Sequence, residues 1–136
     1  MNALTRIFIA EQDCESLVNS MLWMEQYPEF EVYGGTLASC DLAEQITELQ
    51  PDLVMLGVNA INAQATLAAK TIRSVAQDAA LIVVTKSDTS VDMSDCDAQI
   101  GPKTAAKELP ELIRKAIYRH RVSSIAATTL PMAKAG

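Results

Sequence analysis

The chain has 136 residues, of which 49 % are hydrophobic and 21 % charged, and its 17 acidic and 11 basic side chains give a formal net charge of -6. At this length and composition we expect one globular domain that builds its core without disulfides or metal. The acidic balance argues against a surface for nucleic acid or for an anionic membrane, because phosphate contacts need a surplus of Lys and Arg.

The cysteines and the N-terminus favour a reduced, cytoplasmic setting. Cys14, Cys40 and Cys96 are widely spaced and match neither a zinc motif nor a redox Cys-x-x-Cys. The first apolar run is short and meets acidic residues at once, so we expect no signal peptide. No apolar stretch reaches the roughly 20 residues that span a bilayer.

Strand and helix patterns alternate along the chain. Continuous apolar runs are typical of strands buried on both faces of a parallel sheet, and apolar residues at three- and four-residue steps predict helices. In chain order we predict a strand at 7–10, a helix with the stripe Leu17, Val18, Met21, Leu22 and Met24, an edge-like strand at 30–33, a helix at 42–49, a strand at 53–56, a helix at 65–75, a strand at 81–84, a short fourth helix at Thr89–Ser94, a weak strand at 98–100 and a last helix at 109–120.

Five strand-then-helix units predict an α/β three-layer sandwich, in which a five-stranded parallel sheet is flanked by five helices through right-handed crossovers. Pro110 near the start of the last helix fits this assignment, since a missing N–H costs least there. After Arg121 the sequence loses periodicity and charge. We therefore predict a domain over residues 1–122 and a flexible tail or linker start over residues 123–136.

Common catalytic and nucleotide-binding motifs are absent from the sequence. It contains no G-x-G-x-x-G, no P-loop and no G-x-S-x-G. The pair Gly34-Gly35 follows the second strand, where a strand terminus or bulge explains it. His120 lies on the apolar stripe of the last helix, which favours a core or rim position over a catalytic base. We expect no enzymatic activity.

Four segments, RIFIAEQD, PDLVMLGVN, LIVVTKSD and AQIGPK, occur in the order of the signature segments of CheY-like receiver domains of two-component response regulators. The chain resembles that family from about Thr5 to Arg121, and YPEFEVYGGTLASCDLAEQITELQPDLVMLG resembles receivers attached to transcription factors. The resemblance implies a flavodoxin-like sheet of order 2-1-3-4-5 and a role in cytoplasmic phosphorelay signal transduction.

The resemblance also implies a phosphoryl pocket at the C-terminal ends of the strands. By position, the acidic pair of the family corresponds to Glu11 and Gln12, the phosphoacceptor Asp to Gly57, and the residue whose backbone carbonyl helps hold Mg²⁺ to Asn59. The phosphoryl-binding hydroxyl corresponds to Thr85, the lysine to Lys103 and the aromatic switch to Ile100.

The departures from the family pattern predict a degenerate pocket. Gly57 has no side chain that could form an acyl phosphate, and Gln12 is neutral, so Glu11 is the only acid left at these positions. We therefore predict no cofactor and weak or absent Mg²⁺ binding, because affinity follows the number of charged ligands. Asp13 would enter the pocket if the first strand slipped by one residue, whereas Asp52 belongs to the start of its strand.

Two remaining positions bear on regulation. Without a phosphoryl partner, Lys103 is expected to turn to Glu11 or to backbone carbonyls around Gly57, because a buried cation is costly unless paired. The alternative is that Lys103 begins a surface loop after Pro102. At the switch position, Ile100 cannot make the rotamer exchange by which an aromatic residue reports phosphorylation in the family.

Charge is unevenly distributed along the chain. Residues 1–56 hold ten acids and one base, whereas residues 57–136 hold seven acids and ten bases. The last helix is basic, which is typical either of a solvated helix face or of a surface for a protein partner or a second copy. By the resemblance, that surface comprises the fourth helix, fifth strand and fifth helix, and its candidate residues are Lys107, Arg114, Lys115, Arg119 and Arg121.

Three hypotheses of function follow. The first is a pseudo-receiver, a non-catalytic protein-interaction module that works without phosphorylation. The second is a small-molecule or anion sensor that reuses the vacated pocket, with Thr85 and Lys103 holding the ligand. The third is a conventional phosphoacceptor receiver.

Overall fold

The structure, a computed structural model, describes residues 4–59, 63–86, 96–101 and 106–135, and for residues 106 and 126–135 it describes the backbone alone. The predicted helix at Thr89–Ser94 and the site residue Lys103 lie outside the described residues. The elements in chain order are β1 (Thr5–Glu11), α1 (Cys14–Met24), β2 (Phe30–Thr36), α2 (Leu42–Leu49), β3 (Leu53–Val58), α3 (Ala63–Val75), β4 (Ala80–Thr85), β5 (Ala98–Ile100), a 3-10 turn (Ala106–Glu108) and α4 (Leu109–Ala135).

The sheet confirms the predicted fold class. Its five strands are all parallel, in the order β2-β1-β3-β4-β5. Every residue of β3 is buried, as its continuous apolar run predicts, whereas the edge strand β2 is mostly half-buried. Because the strands are parallel, their C-terminal ends meet at one edge of the sheet, called here the carboxyl edge, and their starts form the opposite amino edge.

The helices cover both faces of the sheet, since successive strand residues point to opposite sides. On one face, α1 and α4 bury Met24 and Ile113 against Ile7 and Ile9. On the other, α2 and α3 bury a second apolar cluster, in which Ile46 and Ile72 pack with Phe8 and Leu56. The result is the predicted three-layer sandwich.

The close packing of α1 on β2 explains one of the paired glycines. Gly34 and Gly35 pair regularly with Ile9 and Ala10, so no bulge is present here. A Cβ at Gly34 would lie 2.6 Å from Leu17 Cδ1 of α1. A glycine therefore allows this helix to approach the strand.

The described residues contain four α-helices, not the five predicted, and the predicted last helix is α4. Helix α4 continues to Ala135 through the segment predicted as a flexible tail. The division between domain and tail at residue 122 stays a prediction. None of the helices in the described part of the chain is long and apolar enough to span a bilayer.

The stripe predicted for α1 is partly wrong. Leu17, Met21 and Met24 do pack on the core, but the side chains of Val18 and Leu22 are 55 % and 59 % exposed. Two adjacent apolar stripes run along this helix, and only one of them faces the sheet.

Candidate functional site

The carboxyl edge brings together several of the residues assigned to the phosphoryl pocket. Glu11 ends β1, Gly57 is the penultimate residue of β3 and Thr85 ends β4. Ala10 is opposite Leu56 and Val58 is opposite Thr85, so the three strands end side by side. This is the edge at which open α/β sheets bind their ligands.

The most informative contact at this edge lies between Glu11 and Gly57. A Cβ built on Gly57 would lie 2.2 Å from both carboxylate oxygens of Glu11. The carboxylate thus fills the space into which a side chain at position 57 would project. A side chain at position 57 would therefore require the Glu11 carboxylate to move, because contacts of 2.2 Å are impossible for a real Cβ.

The carboxylate of Glu11 is held within the protein. The residue is 5 % exposed, and the Ser20 hydroxyl of α1 donates to Oε1 over 2.7 Å. Burial raises the pKa of this carboxyl above its usual range, although the Ser20 hydrogen bond and the charge of Lys86 oppose the rise. The group therefore binds its proton more readily than an exposed glutamate does.

The neighbouring side-chain oxygens of Gln12 and Asp13 take part in local hydrogen bonds. Gln12 Oε1 accepts from the backbone N–H of Asn59 over 3.3 Å, and Asp13 caps α1 by accepting from the Ser16 N–H over 2.8 Å. The hydrogen bond from the Ser16 backbone N–H lowers the pKa of Asp13. In this structure Asp13 is the N-cap residue of α1, and its role as a metal ligand stays a prediction. Among the described residues, no group of three acidic, His or Cys side chains could hold a metal ion.

The cation that the structure describes near this site is Lys86. Its Nζ donates to Ser16 Oγ over 2.9 Å, and its backbone N–H donates to the Val58 carbonyl over 3.2 Å. Lys86 thus ties the end of β4 both to α1 and to β3. The expected contact of Lys103 with Glu11 falls outside the described residues and stays a prediction.

Thr85 and Ile100 are buried at the positions assigned to the hydroxyl and the switch. Each is 3 % exposed. Ile100 pairs with Val84 at the end of the three-residue strand β5 and packs in the core cluster that contains Ile113. At this position the structure has an aliphatic core residue.

The basic residues assigned to a partner surface all lie exposed. Arg114 forms a salt bridge of 2.5 Å with Glu29 after α1, and Arg121 one of 3.3 Å with Asp52 at the start of β3. Asp52 also accepts from the Arg6 backbone N–H over 2.9 Å, which confirms its expected place at the amino edge. Lys107, Lys115 and Arg119 are exposed as well.

A second polar cluster lies at the amino edge. Asp97 accepts from Arg73 Nη2 over 2.9 Å and from the Leu81 N–H over 2.8 Å, and its other oxygen lies 3.3 Å from His120 Nδ1. His120 also donates through Nε2 to the Gln77 carbonyl over 2.7 Å. The histidine side chain is 13 % exposed, so the rim position favoured by the sequence is confirmed.

The sequence analysis missed three residues of the carboxyl edge, namely Ser16, Ser20 and Lys86. The two serines could have been identified from the sequence, because they are four residues apart on one face of a helix that begins after Asp13. Lys86 directly follows Thr85 in a segment already singled out. Its direction toward α1 could not be inferred from that segment.

No protein-family model and no curated protein sequence matches this chain. Solved structures do match it in fold. A CheY-like response regulator receiver domain from Methanospirillum hungatei superposes with a TM-score of 0.65 at 18 % identity, over 89 % of this chain and 99 % of that one.

Two further structures have similar scores. A LuxR-family DNA-binding response regulator from Staphylococcus aureus gives a TM-score of 0.66 at 22 % identity, over 84 % of this chain and 99 % of that one. A pilus assembly-related protein from Burkholderia pseudomallei gives 0.67 at 15 % identity, over 87 % and 96 %. The chain therefore has the fold of CheY-like receiver domains.

Proposed function

We propose that this chain is a pseudo-receiver, a non-catalytic module that regulates signal transduction by binding a protein partner, without being phosphorylated itself. The proposal includes a cytoplasmic location and no resident cofactor. The fold supports a regulatory role, since structures that share it include a DNA-binding response regulator and a receiver-modulated diguanylate cyclase.

The observation that carries the proposal is the position of the Glu11 carboxylate over Gly57. Phosphoryl transfer to a receiver needs a carboxylate nucleophile at position 57, and glycine supplies none. A buried carboxylate in the same space would also repel a phosphoryl group or any other anion. This contact therefore favours the pseudo-receiver over both the anion sensor and the conventional receiver.

Metal binding is disfavoured by the same geometry. Mg²⁺ prefers near-octahedral oxygen ligands and gives up its water reluctantly. At the carboxyl edge, Gln12 and Asp13 already accept hydrogen bonds from backbone N–H groups, and Glu11 accepts one from Ser20. Recruiting these oxygens to a metal would break contacts that hold α1 and the loop after β3.

Phosphorylation can be tested with acetyl phosphate and Mg²⁺, followed by intact-mass measurement. We expect no gain of a phosphoryl group, whereas a CheY-like receiver in the same reaction gains one. The matched variant carries Glu11→Asp, Gln12→Asp and Gly57→Asp. These changes shorten the side chain of residue 11 and place an acid at each of the three positions that hold acids in the family. A stoichiometric mass gain by the wild-type chain would overturn the proposal.

The sensor alternative has its own test. Thermal unfolding is followed in phosphate, sulfate, nitrate and carboxylate buffers of equal ionic strength. We expect only the general effect of each salt on protein stability, with no saturable rise for any one anion, because Glu11 already fills the pocket. A concentration-dependent rise of several degrees with a single anion, lost in Thr85→Val, would favour the sensor instead.

A further inference from the structure

The outer side of β2, called here the β2 edge, is the end of the sheet farthest from β5. Strand β2 comes first in the order β2-β1-β3-β4-β5 and pairs with β1. On its inner side, the Thr5 N–H donates to the Glu29 carbonyl over 3.2 Å, and the Leu37 N–H donates to the Glu11 carbonyl over 2.8 Å. Because backbone groups alternate in direction along a strand, the residues at odd positions of β2 point theirs toward β1.

The residues at even positions of β2 point their backbone groups away from the sheet. At the two ends these groups are used locally, since the Phe30 N–H donates to the preceding turn and the Thr36 carbonyl accepts from the following one. Between them, the N–H and C=O groups of Val32 and Gly34 face no strand in the described part of the chain. The strand also contains no proline. An open edge of this kind is a template for an added strand.

On one side of the β2 edge, helix α1 presents an apolar surface. Ser16 and Ser20 are hydrogen-bonded to the residue that follows β4 and to the last residue of β1, so they face the central strands. Val18 and Leu22, each two residues further along the helix, lie on nearly the opposite side. Their side chains are 55 % and 59 % exposed. They therefore flank the β2 edge, together with the exposed Glu25 seven residues after Val18.

On the other side of the β2 edge, polar and acidic groups belong to β2 itself and to α2. Gln45 Oε1 lies 3.1 Å from the position of a Cβ on Gly35, so the odd-numbered side chains of β2 face α2. Glu31 and Tyr33 share that side, because side chains alternate along a strand, and the Tyr33 hydroxyl donates to Glu31. Tyr33, Gln45 and Glu48 line one groove of about 460 Å³. An acidic groove with an aromatic wall therefore lies beside the β2 edge.

From these observations we propose that the β2 edge binds an extended segment of a partner protein as a sixth strand, and that this segment alternates basic and apolar side chains. Hydrogen bonds to Val32 and Gly34 hold its backbone, and side-chain contacts select its sequence. Its apolar side chains pack beside Val18 and Leu22. Its basic side chains point to the α2 side, where the acids of the groove attract them and the Tyr33 ring can take a cation on its face.

Charge complementarity selects a basic segment as the occupant. Residues 1–56 contain ten acids and one base. That base is Arg6, whose Nη1 donates to the Leu49 carbonyl over 3.1 Å. A second copy of this chain would bring Glu31 and Glu48 of both copies to one edge, and like charges on neighbouring strands are unfavourable. The proposal goes beyond the pseudo-receiver function, because the β2 edge is separate from Gly57 and binds the segment whether or not that position accepts phosphate.

The test measures binding of a fluorescein-labelled peptide, Lys-Val-Lys-Val-Lys-Val-Lys, to the 136-residue chain by fluorescence anisotropy. We expect saturable binding of one peptide per chain, and slower hydrogen exchange of the Val32 and Gly34 amides in the complex. Two further peptides are N-methylated, one at its lysine amides and the other at its valine amides. Only one of these two sets faces β2, so one methylated peptide should bind at least about tenfold more weakly and the other should bind like the parent.

Three controls make the result specific. A peptide with glutamate in place of lysine, and one with the same composition in the block order Lys-Lys-Lys-Lys-Val-Val-Val, should bind at least about tenfold more weakly than the alternating peptide. Glu31→Lys with Glu48→Lys should raise the peptide dissociation constant by a similar factor. Asp78→Lys with Glu108→Lys changes the net charge equally at exposed sites before β4 and α4, and should leave the constant within about twofold.

Four results would overturn the proposal. The first is the absence of saturable binding at peptide concentrations up to about 1 mM. The second is equal binding of the acidic or block-order peptide, and the third is a control reversal as harmful as the reversal at the groove. The fourth is a chain that dimerises by itself in sedimentation velocity with protected Val32 and Gly34 amides, since a second copy would then occupy the edge.

Discussion

The two edges of the sheet both carry polar clusters, but they differ in what occupies the centre. At the amino edge, the Asp97 carboxylate accepts hydrogen bonds from Arg73 of α3 and Leu81 of β4, and it lies 3.3 Å from His120 Nδ1 of α4. At the carboxyl edge, the Glu11 carboxylate lies beside Gly57 and accepts a hydrogen bond from Ser20. The Asp97 cluster joins several helices and strands. The Glu11 carboxylate instead occupies the space into which a side chain at position 57 would project.

This difference bears on how the carboxyl edge stays packed around a glycine at position 57. Loss of a side chain at position 57 would leave a hole at the carboxyl edge, and a hole in a packed region is destabilising. The carboxylate of Glu11 fills it from the neighbouring strand. Burial of this carboxylate nevertheless raises the pKa of Glu11 above its ordinary value.

The largest effect is expected from Gly57→Asp. The new carboxylate would collide with that of Glu11 and place a second negative charge in the same buried space. We expect a loss of about 3–5 kcal/mol in the free energy of unfolding, measured by urea denaturation. Gly101→Asp is the matched control, because no described atom lies within 4 Å of a Cβ there. Equal, small losses at both glycines would contradict the described contact.

The next largest effect is expected at the amino edge, from Asp97→Ala. The change removes the acceptor of Arg73 Nη2 and of the Leu81 N–H. We expect a loss of about 2–3 kcal/mol in unfolding free energy and faster hydrogen exchange of the Leu81 amide. Asp78→Ala, at an exposed acid on the same side, should change neither quantity. Unchanged hydrogen exchange of the Leu81 amide would show that Asp97 does not hold the start of β5 to β4.

Glu11→Gln should change the pH dependence of stability. Because the folded-state pKa of Glu11 lies above its ordinary value of 4.5, the folded state binds more protons than the unfolded state as this group titrates. Its stabilising contribution is therefore complete below pH 4.5 and is lost as pH rises through the folded-state pKa. We expect the stability of Glu11→Gln relative to wild type to improve between about pH 4 and pH 8. A difference that is constant over this range would mean that Glu11 titrates normally.

The smallest effect is expected at the helix cap. The pKa of Asp13 is lowered mainly by the Ser16 backbone N–H, so its contribution is present at neutral pH and is lost as pH falls through the lowered value. Asp13→Ala should lower the unfolding temperature slightly at pH 7, whereas Asp13→Asn, which can still cap, should lower it less. Equal effects of the two substitutions would argue against the cap.

Much of the fold could be predicted because its signals are strong. The run Leu53-Val54-Met55-Leu56 is apolar without interruption and lies entirely buried in β3. The outward position of Val18 and Leu22 could not be predicted, because helical spacing identifies two apolar stripes but not which of them meets the sheet. The helical backbone beyond residue 122 was not predicted, because the sequence loses its periodic apolar pattern after Arg121. A helix segment that extends past the sheet needs no periodic apolar face.

The site was predictable in its position but not in its contacts. The alignment of segments placed Glu11, Gly57 and Thr85 at one edge, and the structure brings them to that edge. That Glu11 would fill the side-chain space of position 57 depends on its reach to the neighbouring strand β3, which the sequence alone does not encode. The direction of Lys86 toward Ser16 depends in the same way on how α1 packs.

The central claim, that the Glu11 carboxylate occupies the side-chain space of position 57, is tested most directly by a double-mutant cycle. The unfolding free energies of the wild type, Gly57→Ala, Glu11→Ala and the double variant are measured in urea. We expect Gly57→Ala to cost about 1–3 kcal/mol in the wild type and almost nothing once Glu11 is alanine, because the added methyl group then fills the vacated space. Costs that add to within about 0.5 kcal/mol would contradict the claim.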